Sequence, residues 1–413
     1  MNKFLFNVLA ALVLAVGFTS CSDDEDLVTV KFSAAPLFEE TMSMAQLEGA
    51  TVVFTETRSQ DKYACQLNAN GEGEVQLVLS TYDISIEEKV KDAEGNDMVI
   101  SLRMENISVN QEGQAISGKA NLVPASALGN NFIFSEIFFN GERNSGKMMH
   151  PDQYIVVYNP SNETLYADGL CIAVTHQAAS QDKQMWYDEY YPTRVPVGGF
   201  ITIPGSGKEH AVEPGEKIVI AFSAIDHSKV EGYDHAVDLT GADYEIYYGP
   251  DTKDTDNPEV PNVLITENGD SYGFFFQPRG YVAPLMFKLE NGNESTVKAF
   301  VKAHTTRSKT LVPADEDKGT PEAIIEIDIL SVDTKDIIDG VQTSDVPQDI
   351  KTRTIPEIVD RGKFLVNGCH RQELAIRKSV VADGKTFYQD TNNTSNDFVM
   401  QKGQNSFPKG WRK

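Results

Sequence analysis

Residues 47–89 read LEGATVVFTETRSQDKYACQLNANGEGEVQLVLSTYDISIEEK, and their period decides the fold class. Apolar residues fall at alternate positions, Val75/Leu77/Leu79 in one run and Tyr82/Ile84/Ile86 in the next. Successive side chains of an extended chain point to opposite faces, so such runs suit half-buried strands. The break Asn68-Ala69-Asn70-Gly71-Glu72-Gly73 holds residues that accept the backbone angles of tight turns.

The pattern continues outward. Val28-Thr29-Val30-Lys31-Phe32 alternates, as do Ile100, Leu102 and Met104, and Glu94-Gly95-Asn96-Asp97 is a further turn signal. Short strands at this spacing predict an antiparallel β-sandwich over 27–124, with one short helix at 40–47. The order of the blocks resembles the carboxypeptidase regulatory-like (prealbumin-like) module. Gly49-Ala50-Thr51-Val52, Asn68-Ala69-Asn70-Gly71 and Thr81-Tyr82-Asp83-Ile84 carry the likeness, and Ser80 stands where that family has Gly. The resemblance implies a non-catalytic spacer or accessory module of a surface protein.

Residues 130–413 hold a second unit. Its strands are strongly apolar: Phe132-Ile133-Phe134-Ser135-Glu136-Ile137-Phe138-Phe139, then Gln153-Tyr154-Ile155-Val156-Val157-Tyr158. These blocks, with Asn159, Gly169, Pro214-Gly215-Glu216, Arg377-Lys378 and the stretch 390–398, resemble a lamin-tail-like domain, an immunoglobulin-type β-sandwich. Val156 replaces the family Glu and Leu170 the family Trp. The spread of the blocks predicts one large domain with insertions near 176–196 and 228–360. The longer insertion is expected to carry strands at 272–276, 283–289, 297–303 and 323–330, and to extend the sheet or form a subdomain. GFITIPGSG (199–207), AFSAIDH (221–227), DTDNPEVPN (254–262) and DIIDGV (336–341) resemble a Bacteroides-type family of unknown function, DUF4876, from which no activity is implied. The fold class expected is mainly β: two β-sandwich (Ig-like) domains in tandem, the second enlarged.

The first residues speak to location. Lys3 and the apolar run 4–16 form a signal, residues 1–20, too short to remain as a membrane-spanning helix. Phe18-Thr19-Ser20-Cys21 resembles a bacterial lipobox, which implies cleavage before Cys21 and its lipidation. Ser22-Asp23-Asp24-Glu25-Asp26 is by composition a solvated linker, residues 21–26 in all. It resembles the acidic export signal of Bacteroidetes surface lipoproteins, which implies display on the extracellular side of the outer membrane.

A formal net charge of −25 repels nucleic-acid phosphates and excludes that class of partner. Cys65, Cys171 and Cys369 fit neither zinc-site nor redox-pair spacing, and buried thiols are expected of the first two. Pro204-Gly205-Ser206-Gly207-Lys208 lacks the spacing of a phosphate loop, and Glu209 stands where the Mg²⁺-touching hydroxyl would be.

The densest aromatic stretch, with Trp186, Tyr187, Tyr190 and Tyr191, and a second with Tyr247 and Tyr248, stand beside acids. Exposed rings beside carboxylates suit sugars or protein partners, whereas half-buried rings would only cap the sandwich edge. Asp251, Asp254 and Asp256 crowd hard oxygen donors into one loop and are the candidates for Ca²⁺, although Asx turns explain them equally. No other cofactor is expected. The seven histidines form no HExxH motif, and His210, Asp226-His227 and Asp234-His235 are the set whose convergence would mark an acid–base or metal site. The leading expectation is a non-catalytic binding or accessory lipoprotein for a glycan, nutrient or protein, beside a TonB-linked uptake system. The alternatives are a hydrolase built from the insertions and an adhesin or structural surface protein.

Overall fold

The computed structural model of the chain describes residues 27–92, 95, 97–124, 131–141, 152–176, 186–187, 193–231, 237–250, 254–267, 274, 276–312, 314, 317–344, 353–382 and 384–402. Cys21, the acidic run 22–26, Tyr190, Tyr191, Asp251, His150, Asp234 and His235 lie outside them.

The first unit is built from β1 (Val28–Pro36), β2 (Thr51–Glu56), β3 (Lys62–Gln66), β4 (Glu72–Leu77), β5 (Ser80–Lys91), β6 (Asp97–Val109) and β7 (Gln114–Pro124). They hydrogen-bond in the order β3-β2-β5-β6-β7-β1-β4. Alternation works as the sequence implies: Val28, Val30, Phe32 and Ala34 of β1 point inward to meet Val52, Phe54, Tyr82 and Ile84. The Phe32 and Phe54 rings meet edge to face at 5.7 Å. The sheet curls until its ends touch, so close that a Cβ on Gly73 of β4 would lie 2.9 Å from Cys65 Sγ of β3.

Two details differ from the sequence reading. β1 pairs antiparallel with β4 (Val28↔Leu77) but parallel with β7 (Val30↔Gln114), because a period of two encodes faces and not strand direction. The helix expected at 40–47 is only a 3₁₀ turn, Met44–Leu47, opened by Ser43 N–H donating to Gln46 Oε1 at 2.8 Å. Leu47 is its one buried residue, too narrow an apolar face to hold a longer helix.

The second unit runs through β8 (Ile133–Asn140), β9 (Tyr154–Tyr158), β10 (Leu165–Tyr166), β11 (Leu170–Thr175), β12 (Trp186–Tyr187), β13 (Arg194–Thr202), β14 (Ala211–Val212) and β15 (Lys217–Ala221). It continues with β16 (Tyr244–Glu245), β17 (Leu264–Glu267), β18 (Pro284–Lys288), α1 (Glu294–His304), β19 (Thr305–Val312), β20 (Ala323–Asp333), β21 (Ile337–Gly340) and β22 (Thr343–Ser344). It closes with β23 (Phe364–Leu365), β24 (Glu373–Arg377), β25 (Ser379–Ala382), β26 (Lys385–Tyr388), α2 (Thr394–Asp397) and β27 (Phe398–Lys402). A six-stranded sheet, β16-β15-β9-β8-β24-β27, faces an eight-stranded one, β12-β19-β20-β13-β11-β18-β21 with β17 beside β13.

Between the sheets Phe134, Ile155, Val157 and Ile220 pack against Ile172, Ile201 and Met286. Their outer faces are also covered. Val156 and Val219 lie under Val237, Leu239 and Val260, while Phe200 and Phe287 lie under Val297 and Phe300 of α1. Coverage on both sides explains why β9 is buried at every position and reads as an unbroken apolar run instead of an alternating one. The mainly β, sandwiched architecture is the one expected.

The stretch 297–303 corrects a strand expectation, since it belongs to α1. Val297, Phe300, Val301 and His304 recur at helical spacing, and Glu294 pairs with Lys298 one turn on at 2.7 Å. Strands do occupy 284–288 and 323–333, whereas Phe274 and Phe276, the described residues of 272–276, lie outside strands. The units touch through Arg361–Asp92 and Lys378–Glu40, each at 2.9 Å.

Candidate functional site

The sheet that gathers residues 170–340 also throws out an arm. β19 and β20 pair from Thr305↔Leu330 to Val312↔Ala323, yet β20 joins β13 only between Pro196↔Ser331 and Arg194↔Asp333. Beyond Leu330 the two strands therefore leave the sheet as a ribbon about 25 Å long. At its far end β12 adds the pairs Trp186↔Thr310 and Tyr187↔Lys309.

The ribbon is amphipathic. One face carries Arg307, Lys309, Glu326 and Asp328, with Arg307 Nη1 at 3.4 Å from Asp328 across the strands. The other carries Ile329, Ile327 and Ile325 in a row, with Val312 near the tip. Ile329 is buried at the root, Ile327 is half-buried, Ile325 is 43% exposed and Val312 40% exposed, while Ile324, 59% exposed, stands on the charged face opposite Leu311. Sequence reasoning found the strand but not this surface. The signal was present in Ile325-Glu326-Ile327-Asp328-Ile329, an alternation that demands an apolar cover.

The other candidates serve the scaffold. Tyr247 and Tyr248 are half-buried; the Tyr248 ring packs on the central core, and its hydroxyl donates to the Phe274 carbonyl at 2.5 Å. Burial, then the charge of Glu267, pushes that phenol upward. Asp254 accepts the amides of Tyr248 and Thr255 at 2.9 and 3.0 Å, and Asp256 accepts from the Asn262 side chain at 3.0 Å. Both thus serve as turn acceptors. Neighbouring Glu245 accepts the amides of Ala224 and Asn257 at 2.8 and 2.6 Å. Burial pushes its carboxyl up to about 7.

Among the described residues, the group of metal-capable side chains gathered within 4.8 Å is Asp168, Glu209 and His210. Asp168 is wholly buried and accepts the amides of Gly207, Glu209 and His210 at 3.2, 3.0 and 2.9 Å, with His210 Nδ1 at 3.5 Å. Burial raises its carboxyl, but these donors outweigh that and hold it below its usual range. The Lys288 ammonium donates to its backbone carbonyl at 3.0 Å. A carboxylate already saturated by amides, with an ammonium beside it, fastens the 205–210 turn and is poorly disposed to a cation. Sequence spacing had no means of pairing residues about forty positions apart. His227 is not part of that group, and its Nε2 lies 2.9 Å from the Ser223 carbonyl. His304 and His370 likewise face the carbonyls of Phe300 and Gly141.

The 390–397 stretch closes the sandwich around Arg377. The guanidinium is 1% exposed and lies 2.6 Å from Asp339, 3.1 Å from Asp390 and 3.9 Å from Asp397. It also donates to the carbonyls of Phe134 and Gln389 at 2.6 and 3.2 Å. Asp360 sits beside it, 3.9 Å from Arg353. Burial pushes Asp339 up to about 6 and Asp397 to about 7, in spite of the Arg377 charge that opposes both. Cys171 is the buried thiol expected, whereas Cys65, on the edge strand β3, is only half-buried; burial raises both, Cys171 to about 12.

Residues 213–405 match the family model described as Protein of unknown function (DUF4876). No curated protein matches the chain. Among solved structures the chain is similar to a DUF4876 family protein from Bacteroides thetaiotaomicron VPI-5482, at 19% identity and a TM-score of 0.57, over 93% of this chain and 97% of that one. At that identity the likeness shows a shared fold. A DUF3823 family protein from Parabacteroides merdae ATCC 43184 matches at 7% identity and a TM-score of 0.17, over 38% of this chain and 69% of that one, too slight a likeness to bear on the fold. The matched residues 213–405 include the ribbon, the acid loop and the Arg377 cluster, so these features lie in the part of the chain that is similar to the DUF4876 family of proteins of unknown function.

Proposed function

We propose that the chain is a lipid-anchored outer-membrane protein facing the extracellular side, and that it works as a non-catalytic accessory protein by docking its β19–β20 ribbon on a partner protein. One observation carries the docking: the row Ile329, Ile327, Ile325 becomes progressively exposed toward the tip. A two-stranded ribbon is marginal in water unless its apolar face is covered. Branched aliphatic side chains lack the flat ring faces that stack on sugars, so the isoleucine row, as distinct from the β12 strand beside the tip, favours a protein partner over a glycan. Arg307 and Lys309 charge the opposite face and discourage strand-on-strand addition at the edge. A binding role rather than hydrolysis is supported by how three of the five described histidines and three of the acids are used: His227, His304 and His370 face backbone carbonyls, and Asp168, Glu245 and Asp254 accept backbone amides.

The anchor reading rests on Cys21 and the export reading on Ser22–Asp26 (SCSDDED around the cysteine). Cys21→Ser is expected to move the protein from the membrane to the soluble fraction; unchanged fractionation would sink the anchor. Neutralising Asp23, Asp24, Glu25 and Asp26 should leave the lipid in place yet abolish protease accessibility on whole cells. For the docking, the mature chain is used to capture partners from detergent-solubilised outer membranes of its own host. Ile325→Asp should weaken retention of the captured protein about tenfold or more, since burial of one such side chain is worth ~1.5–3 kcal/mol. Equal retention by the two chains would remove the ribbon from the account.

A further inference from the structure

At the other end of β20, away from the ribbon tip, a cavity of about 710 Å³ opens where the start of β13, the end of β20 and the start of β21 meet. Ile337, Ile338 and Val359 form its apolar floor. Ile337 and Val359 also pack with Ala283 and Ile355, which fixes the floor to the body of the sheet. Ile358 stands at the mouth, 76% exposed. Arg194 and Lys335 line the wall with one acid, Asp333, which lies 3.2 Å from Arg194 Nε. Asn392 joins the lining in a left-handed backbone conformation, φ 51°, a geometry that asparagine tolerates better than most residues.

We infer that this cavity binds a small amphipathic anion, an apolar ring or chain body bearing one acidic group. Its volume lies in the range of sites for drug-sized ligands, which join an apolar lining to a few fixed polar groups. The charge of the lining points to the sign of the ligand. Two cations against one acid give a locally positive wall in a chain of net charge −25, so an anion is repelled over most of the molecule and attracted here. The apolar body would lie on Ile337, Ile338 and Val359 and cover Ile358, whose side chain is otherwise left in water. This site shares no residue with the ribbon face, so either proposal stands without the other.

The test titrates the mature chain with two fluorescent probes of similar size, anionic 1-anilinonaphthalene-8-sulfonate and neutral N-phenyl-1-naphthylamine. Both substituted positions are exposed, so folding is not at stake. Lys335→Glu should weaken the anionic probe about tenfold, the order expected for reversing one charge near a partly buried ligand, and leave the neutral probe within about twofold. Ile358→Ser should weaken both about fivefold. Ile325→Asp, on the ribbon, should change neither. Unaltered affinity for both probes in Lys335→Glu and Ile358→Ser would overturn the site, as would loss confined to Ile325→Asp. Equal weakening of both probes by Lys335→Glu would overturn the assignment to anions.

Discussion

Arg377→Leu is expected to lower the stability of the second unit by about 3–5 kcal/mol, the usual consequence of removing one partner from a buried ion pair. The guanidinium is the charge that Asp339, Asp390 and Asp397 share, and it also satisfies the carbonyls of Phe134 and Gln389. Leucine fills much of the volume but leaves buried acids facing one another and two carbonyls without a donor. The cluster binds together β8, β21, β24 and the closing loop, so its loss loosens both sheets at once. Asp390→Asn should be far milder, because the arginine keeps two carboxylates. Both tryptophans, Trp186 and Trp411, fall within residues 130–413, so tryptophan fluorescence in a denaturant titration reports this unit. A midpoint for Arg377→Leu no lower than that of the exposed variant Arg307→Leu would contradict the assignment.

Raising the pH from 6.5 to 8 is expected to destabilise the same unit by ~1–2 kcal/mol. Asp339 at about 6, Asp397 at about 7 and Glu245 at about 7 all hold their protons in the folded state beyond the range where unfolded carboxyls have lost them. Burial is the first cause in each. A raised folded pKa gives stability that is complete below about pH 4 and is lost as the pH climbs through 6 and 7. Arg377, Arg353, Asp360 and Asp390 are the charged groups packed around the two aspartates, and Asp254 and Asp256 lie near Glu245. Below pH 6.5 the trend reverses in part, since burial lowers His176 and His227 and unfolding lets them take up protons. The first unit behaves oppositely. Hydrogen bonds from Ser80, Ser59 and Arg58 hold Glu56 down at about 2, so its contribution is present above about pH 4.5 and disappears as the pH falls toward 2. Fluorescence-detected melts at pH 6.5 and 8 check the second unit. Asp397→Asn should flatten the difference, and a higher melting temperature at pH 8 would oppose the account.

How much of this was legible before folding depends on the range of the interaction. The alternation in 47–89 and around Val28, Ile100 and Leu102 marks strands because each residue's fate depends on its neighbour two positions away. The same local rule cannot tell that β1 runs parallel to β7. In the second unit, Tyr154–Tyr158 reads as an apolar run because both faces are covered, one of them by residues some eighty to a hundred positions later. α1 was misjudged as a strand because Val297 and Val301 suggest β propensity, whereas the spacing of Val297, Phe300, Val301 and His304 is helical.

For the site, composition drew attention to rings and acids, and most of those described turn out to brace loops. The surface that stands out was carried by plain isoleucines in a strand already recognised. Arg377 and the acids of the 390–397 loop lie within about twenty residues of each other, close enough for the sequence to hint at their pairing. Asp339 and the Phe134 carbonyl, the latter 243 residues from Arg377, are brought in only by the packing of the sheets.

The proposal that the chain is tethered and its ribbon covered is tested most directly by cysteine labelling with a membrane-impermeant maleimide, in a background where the exposed Cys369 is replaced by serine. Val381, 74% exposed on the β25–β26 hairpin, serves as the reference position. In the purified chain, Ile325→Cys and Val381→Cys should label at similar rates. On intact cells Val381→Cys should still label, which places the chain on the outer face, while Ile325→Cys should be shielded by its partner. Labelling of Ile325→Cys on cells as fast as in the purified chain, or no labelling of Val381→Cys on cells, would contradict the account.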